Sequence, residues 1–282
     1  MTAAWVRPAV IDVLEPGYDE LFDRVAGACW RDERVRAMWL SGSLARGDAD
    51  AASDLDVLIA IGDADFVQFA AAWREWLAAI TPTVIARPLP FLTGSFYAVT
   101  PARMRLDVVS ERVSELSATS FRDRTLVFDR DHLEVIIPPP VDPKPPNADR
   151  IVQLVEEFFR DYGMFNTVVE REDWLLGLEA IHVIRTLLYQ LFVESNAPQP
   201  ARGVKRWSAQ LTAEQRAVLE GLPTGAANPV DVIAAHEAVA CAFVHHARIV
   251  CSRLGVAWLA ELEQATVAYL RAHGLPALEC TE

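Results

Sequence analysis

The stretch that most constrains this chain runs from Ser41 to Val57. It reads Ser41-Gly42-Ser43-Leu44-Ala45-Arg46-Gly47, a polar connection to Ser53, then Asp54-Leu55-Asp56-Val57. The apolar run Ala37-Met38-Trp39-Leu40 precedes it, and Val57-Leu58-Ile59-Ala60-Ile61 follows. Short apolar runs bounded by turn residues read as buried strands. Side chains alternate along a strand, so Asp54 and Asp56 share one face while Leu55 and Val57 take the other. Two carboxylates on one face, beside a small-residue turn with backbone N–H groups to offer, suit the joint binding of Mg²⁺ and a triphosphate.

Composition bounds the rest. The chain has 282 residues, enough for two compact domains, and 52% of them are apolar, enough for sizeable cores. Its net charge of −13 argues against a general nucleic-acid binder, because phosphate contact needs a basic surface. The same charge is compatible with a cationic small molecule, and an acidic surface also simply keeps a protein soluble. Cys29, Cys241, Cys251 and Cys280 are scattered with no metal-ligand spacing, so they read as reduced thiols. The N-terminus shows no basic region followed by an apolar stretch, and the most apolar windows carry charges. The expectation is a cytoplasmic protein without a membrane span.

The pattern along the chain predicts an α+β fold. Tyr18 to Trp30 has one apolar stripe, through Leu21, Val25, Ala28 and Cys29, and reads as an amphipathic helix. Strands are expected at Arg36–Leu40 and Asp54–Ile61. A helix from Phe66 to Ile80, capped by Asp65, follows. Short strands are expected at Thr83–Ala86, Ser95–Thr100, Arg103–Val109 and Thr125–Phe128. Six prolines between Pro138 and Pro146 mark a stiff extended linker. Beyond it the periodicity is helical. Helices are expected from Ala148 to about Val169 behind Asn147, and from about Asp173 to Val193. A short one follows the capping box Thr212-Ala213-Glu214-Gln215 and closes near Gly221. A long one opens at Pro229 after Asn228 and stops at Gly255. The last runs from about Ala257 to His273. The domain reading is a catalytic domain over 1–137 with a mixed sheet, a linker over 138–146 and a helix bundle over 147–282.

Gly42-Ser43, a gap, then Asp54-Leu55-Asp56 resembles the signature of the DNA polymerase β-like nucleotidyltransferase superfamily. With Ala45-Arg46-Gly47 and Ser53 added, it is most similar to the aminoglycoside and lincosamide nucleotidyltransferases. Lincosamide enzymes often carry Glu where Asp56 stands, and there this chain departs from that subgroup. The resemblance implies transfer of a nucleoside monophosphate from ATP or another NTP to a hydroxyl, releasing pyrophosphate, with two Mg²⁺ ions around the α-phosphate. It implies that Asp54 and Asp56 bind both ions. An acidic residue on a later strand completes the superfamily's metal set. Asp107 in Arg103-Met104-Arg105-Leu106-Asp107-Val108-Val109 fits that place, sharing a face with Arg103 and Arg105; a solvent-exposed edge face paired with Arg105 is the alternative.

Further roles follow from the same resemblance. Gly42 and Ser43 hold the β- and γ-phosphates, Gly42 because the backbone must approach without a Cβ. Ser53 adds a hydroxyl contact. Arg46 either contacts phosphate or braces the turn. Lys205, in the basic patch Arg202-Gly203-Val204-Lys205-Arg206-Trp207, is the candidate for a helical-domain lysine reaching the triphosphate, with an ordinary basic loop as the alternative. The helical domain then serves as the substrate and nucleotide-cleft domain. Glu170, Glu172, Asp173 and Glu179 are available there for an amine-bearing acceptor, with an ordinary solvated helix end as the alternative for each. A homodimer that shares the cleft is compatible with the resemblance. His236, His245 and His246 do not converge on a metal, since neighbours on a helix point about 100° apart.

Three functions are compatible with these features. One is modification of a small hydroxyl-bearing molecule, an antibiotic among the options. The second is the same chemistry on a protein or tRNA. The third is a noncatalytic nucleotide-binding protein on the same fold.

Overall fold

The computed structural model describes residues 5–199 and 204–280. The chain divides into two compact units, Met1–Val141 and Asp142–Glu282. The first is a mixed six-stranded sheet with helices, and the second is made of helices packed together.

In chain order the first unit holds α1 (Tyr18–Arg31), β1 (Val35–Leu40), α2 (Gly42–Arg46), β2 (Leu55–Ile61) and α3 (Phe66–Ala78). Then come β3 (Ile85–Pro88), β4 (Phe96–Val99), β5 (Arg105–Arg112) and β6 (Thr125–Asp129). The strand order is β3-β4-β5-β2-β1-β6. Only β2 and β5 pair in parallel; the other neighbours are antiparallel. A parallel pair needs a crossover, and the segment carrying α3, β3 and β4 supplies it.

Alternation decides what each face of the sheet carries. Leu55, Val57 and Ile59 of β2 and Leu106 and Val108 of β5 are buried with Leu21, Phe22 and Val25 of α1 and with Phe69 and Trp73 of α3. The intervening residues turn to the other face. There Trp39, Leu58, Ala60 and Val109 pack with Leu116 and Leu133 in a smaller cluster. Asp56 and Asp107 fall on this second face by the same alternation. It is the thinner of the two layers, and that leaves room for a cavity.

The second unit contains α4 (Ala148–Gly163), α5 (Asn166–Glu170), α6 (Trp174–Ser195), α7 (Ala213–Gly221), α8 (Pro229–Leu254) and α9 (Ala260–Ala272). Its helix starts follow from side-chain capping. Asn147 accepts from the Asp149 and Arg150 N–H groups, and Asp173 accepts from Leu176 N–H. Thr212 and Gln215 form the expected capping box. Asn228 precedes Pro229, and Gly255 closes α8 in the left-handed conformation. One helix among the described residues, α6, is long and apolar enough to cross a membrane by length and composition alone. Here Ile181, Ile184, Leu188 and Leu191 of α6 are buried in the helical core.

Three local expectations are corrected. The helix expected to reach Val169 breaks after Gly163 and restarts at Asn166, whose Nδ2 donates to Tyr269 Oη at 2.6 Å. Glycine is the weakest helix former after proline, and a Cβ at Gly163 would also meet Thr266 of α9 at 3.2 Å. Asp65 precedes α3 but makes no capping bond with its side chain. Finally, the cysteines are not all reduced, because Cys241 and Cys280 form a disulfide with a Cα–Cα distance of 5.5 Å. The C-terminal segment returns to α8 and α4, where Glu279 N–H donates to Glu237 Oε1 at 2.7 Å and Leu278 N–H to Tyr162 Oη at 3.0 Å. Pairing across 39 residues leaves no spacing signature. Cys29 and Cys251 are buried thiols, and burial raises the pKa of both.

Candidate active site

The parallel register of β2 and β5 sets Asp56 directly against Asp107. Neighbouring strands lie roughly 4.7–4.9 Å apart, so two negative charges are held side by side at the starts of both strands. Burial pushes the Asp56 carboxyl up to about 6, and repulsion from Asp107 adds to it, against the pull of Arg46 and Arg105. Asp107 is raised too, chiefly by burial, with Arg105 opposing. A carboxylate pair whose members resist ionising together favours a cation bound between them.

Gly42 makes the pair accessible. Ser41 N–H donates to Asp56 O at 3.0 Å, which ties the turn after β1 to the start of β2. Gly42 then takes a left-handed φ of 59°. A Cβ there would collide with the Asp56 carboxylate. Only glycine permits this approach without strain.

Asp54 sits one residue before β2 and is engaged elsewhere. Its carboxylate forms an ion pair with Arg105, whose Nη2 also donates to Ala52 O at 2.9 Å. The structure therefore brings Asp56 and Asp107 together and sets Asp54 on Arg105. Among the described residues no three His, Cys, Asp or Glu side chains group as a metal site. Ser53 uses its hydroxyl in the turn, donating to Asp50 Oδ1 at 3.1 Å and accepting from Asp50 N–H at 3.0 Å. Arg46 lies 3.5 Å from Asp48. Its Nε is buried without a hydrogen-bond partner.

A cavity of about 380 Å³ opens over the carboxylates. Ser41, Gly42, Arg46, Asp56 and Asp107 line one side of it. Leu89, Leu92, Val109 and Phe121 give it an apolar wall, and Ser120, Arg122 and Asp123 close it. The volume falls within the range of small-molecule sites. Ser43 and Ser53 do not line it. Lys205 lies in the second unit, in the short turn Val204–Arg206; Arg202 and Gly203 of its basic patch are outside the described residues.

The donor set fits a hard divalent cation. Both facing ligands are oxygen, and no thiol or imidazole lines the cavity. Arginines at the same cavity fit an anion bound beside the cation.

Residues 24–85 match the nucleotidyltransferase domain family. The first unit carries a nucleotidyltransferase domain. The match includes Gly42, Ser43, Asp54 and Asp56; Asp107 lies beyond it and is set against Asp56 by strand register. Among solved structures, an aminoglycoside 6-adenyltransferase from Bacillus subtilis aligns over 90% of this chain and 97% of its own, at 15% identity and a TM-score of 0.43. No curated protein matches the sequence.

Sequence reasoning missed the far wall, namely Leu89, Leu92 and the Ser120–Asp123 segment. It also gave Arg105 no role at Asp54. The strand at 125–128 was legible, but its partner was not. The pairing of Leu40 with Thr125 is what carries residues 120–123 to the Gly-Ser turn.

Proposed function

We propose that this protein transfers a nucleoside monophosphate from an NTP to a hydroxyl of a small molecule. The observation that carries the reading is the Asp56–Asp107 pair beside Gly42, within a nucleotidyltransferase domain. In this reading Asp56 and Asp107 hold Mg²⁺, and Asp54 is the further carboxylate of the set. Mg²⁺, when bound, lowers the pKa of a coordinated hydroxyl and neutralises charge on the phosphates. Gly42 and Arg46 face the polyphosphate, Ser43 lies between them in α2, and Ser53 supports the turn that carries Asp54. Lys205 is proposed as a contributor from the helical domain.

The acceptor oxygen attacks the α-phosphorus. A new P–O bond forms, the bond to the β-phosphate oxygen breaks, and pyrophosphate leaves. The hydroxyl proton passes to a base, with Asp107 and a glutamate as the candidates. The net charge of −13 favours a neutral or cationic small acceptor over nucleic acid. The motif resemblance makes aminoglycosides and lincosamides the first acceptors to try.

Pyrophosphate release from ATP and Mg²⁺, measured against panels of both antibiotic classes, tests the reading. The expected result is release that needs an acceptor and falls at least a hundredfold in Asp107→Asn. Acceptor-dependent release at the wild-type rate in that variant would remove Asp107 from the mechanism.

A further inference from the structure

The segment between β5 and β6 is held by a buried charged network. Arg124 is 3% exposed and pairs with Glu111, which is 12% exposed. Thr119 donates its hydroxyl to the same carboxylate. The Arg124 guanidinium also donates to Phe121 O at 2.5 Å and to Thr119 Oγ1 at 3.0 Å, and it lies 4.8 Å from the centre of the Trp39 indole. Phe121 N–H donates to Thr119 Oγ1 at 3.0 Å. Burying this many charges costs several kcal/mol unless they are paired. The structural result here is a fixed course for Ser120–Asp123.

That course leads to the Gly-Ser turn. Leu40 of β1 pairs with Thr125 of β6 in antiparallel register, so the chain entering β6 runs beside the chain leaving β1. Arg122 lines the carboxylate cavity. It also lines a neighbouring cavity of about 260 Å³, together with Ala45 of α2. Arg122 therefore stands on the α2 side of Asp56, the side where Arg46 lies. Its Nε reaches Thr119 O at 3.4 Å. Among the described residues, no hydrogen bond or ion pair occupies its two Nη nitrogens.

We infer that Arg122 is a polyphosphate-binding residue of this site, paired in function with Arg46. This rests on the nucleotidyltransferase reading above. A guanidinium offers a planar fork that matches two phosphate oxygens, and a rigid backbone lowers the entropy of presenting it. Arg122 recognises the phosphates and not the base, so it acts alike on ATP and GTP.

The test is binding of Mg·ATP, Mg·GTP and Mg·tripolyphosphate by calorimetry to the full chain, as wild type, Arg122→Ala and Arg122→Lys. Thermal unfolding of each variant checks its fold. The inference expects affinity for all three probes to fall about tenfold or more in Arg122→Ala, and expects Arg122→Lys to recover part of that loss. Unchanged affinity in Arg122→Ala overturns it, as does weakening confined to the nucleotides with tripolyphosphate unaffected. A wild type that binds none of the probes overturns the nucleotidyltransferase reading and the inference together. Wild-type binding with an insensitive Arg122 overturns the inference alone.

Discussion

Asp56 carries the conflict at the centre of the site. Its carboxyl is pushed up to about 6, from an ordinary value of 3.8, by burial and by Asp107. The folded state thus prefers the protonated form. The stability from this preference is present in full below the ordinary value and is lost as pH rises through about 6. At pH 8 the ionised group destabilises the metal-free fold by on the order of 3 kcal/mol. Asp56→Asn removes that cost. In EDTA the variant is expected to unfold at a higher temperature than wild type at pH 8, with the gain fading by pH 4. A variant no more stable than wild type at pH 8 would show that the fold does not disfavour the ionised Asp56 carboxylate. The residue types of this pair were legible in the sequence, because Gly42, Asp54 and Asp56 sit at a telling interval. The pairing of Asp54 with Arg105 was not, since an ion pair between a turn and a strand depends on the register of β2 with β5.

At the scale of elements, the β5–β6 connection is the part whose order depends on charge. Arg124→Met would leave Glu111 buried without its partner, at a cost of about 3–5 kcal/mol. Replacing both, Arg124→Met with Glu111→Leu, is expected to recover most of that loss, because a buried ion pair exchanged for apolar side chains is often close to neutral. Chemical denaturation of the single and double variants measures this; a single variant as stable as wild type would deny the network its role. Helix and strand cores were legible from period and caps. Asn147, Asp173, Thr212 and Asn228 all cap helices in the structure. What escaped was set by distant contact. Gly163 ends α4 where α9 passes close, and Cys280 finds Cys241 only after the tail folds back.

For the whole molecule, the α+β order of an N-terminal mixed sheet followed by helices was readable because periodicity changes at the proline run, from short alternating segments to helical repeats. The acceptor was not readable. An acidic surface admits many small cations and neutral molecules, and no stretch of sequence names one. The proposed function requires that Asp56 and Asp107 form a cation-dependent nucleotide site. Calorimetric titration of a nonhydrolysable ATP analogue into wild type and Asp56→Asn, each with Mg²⁺ and with EDTA, tests it most directly. Wild type is expected to bind only with Mg²⁺, and Asp56→Asn to lose that binding. Equal binding in EDTA, or equal Mg²⁺-dependent binding by Asp56→Asn, would contradict it.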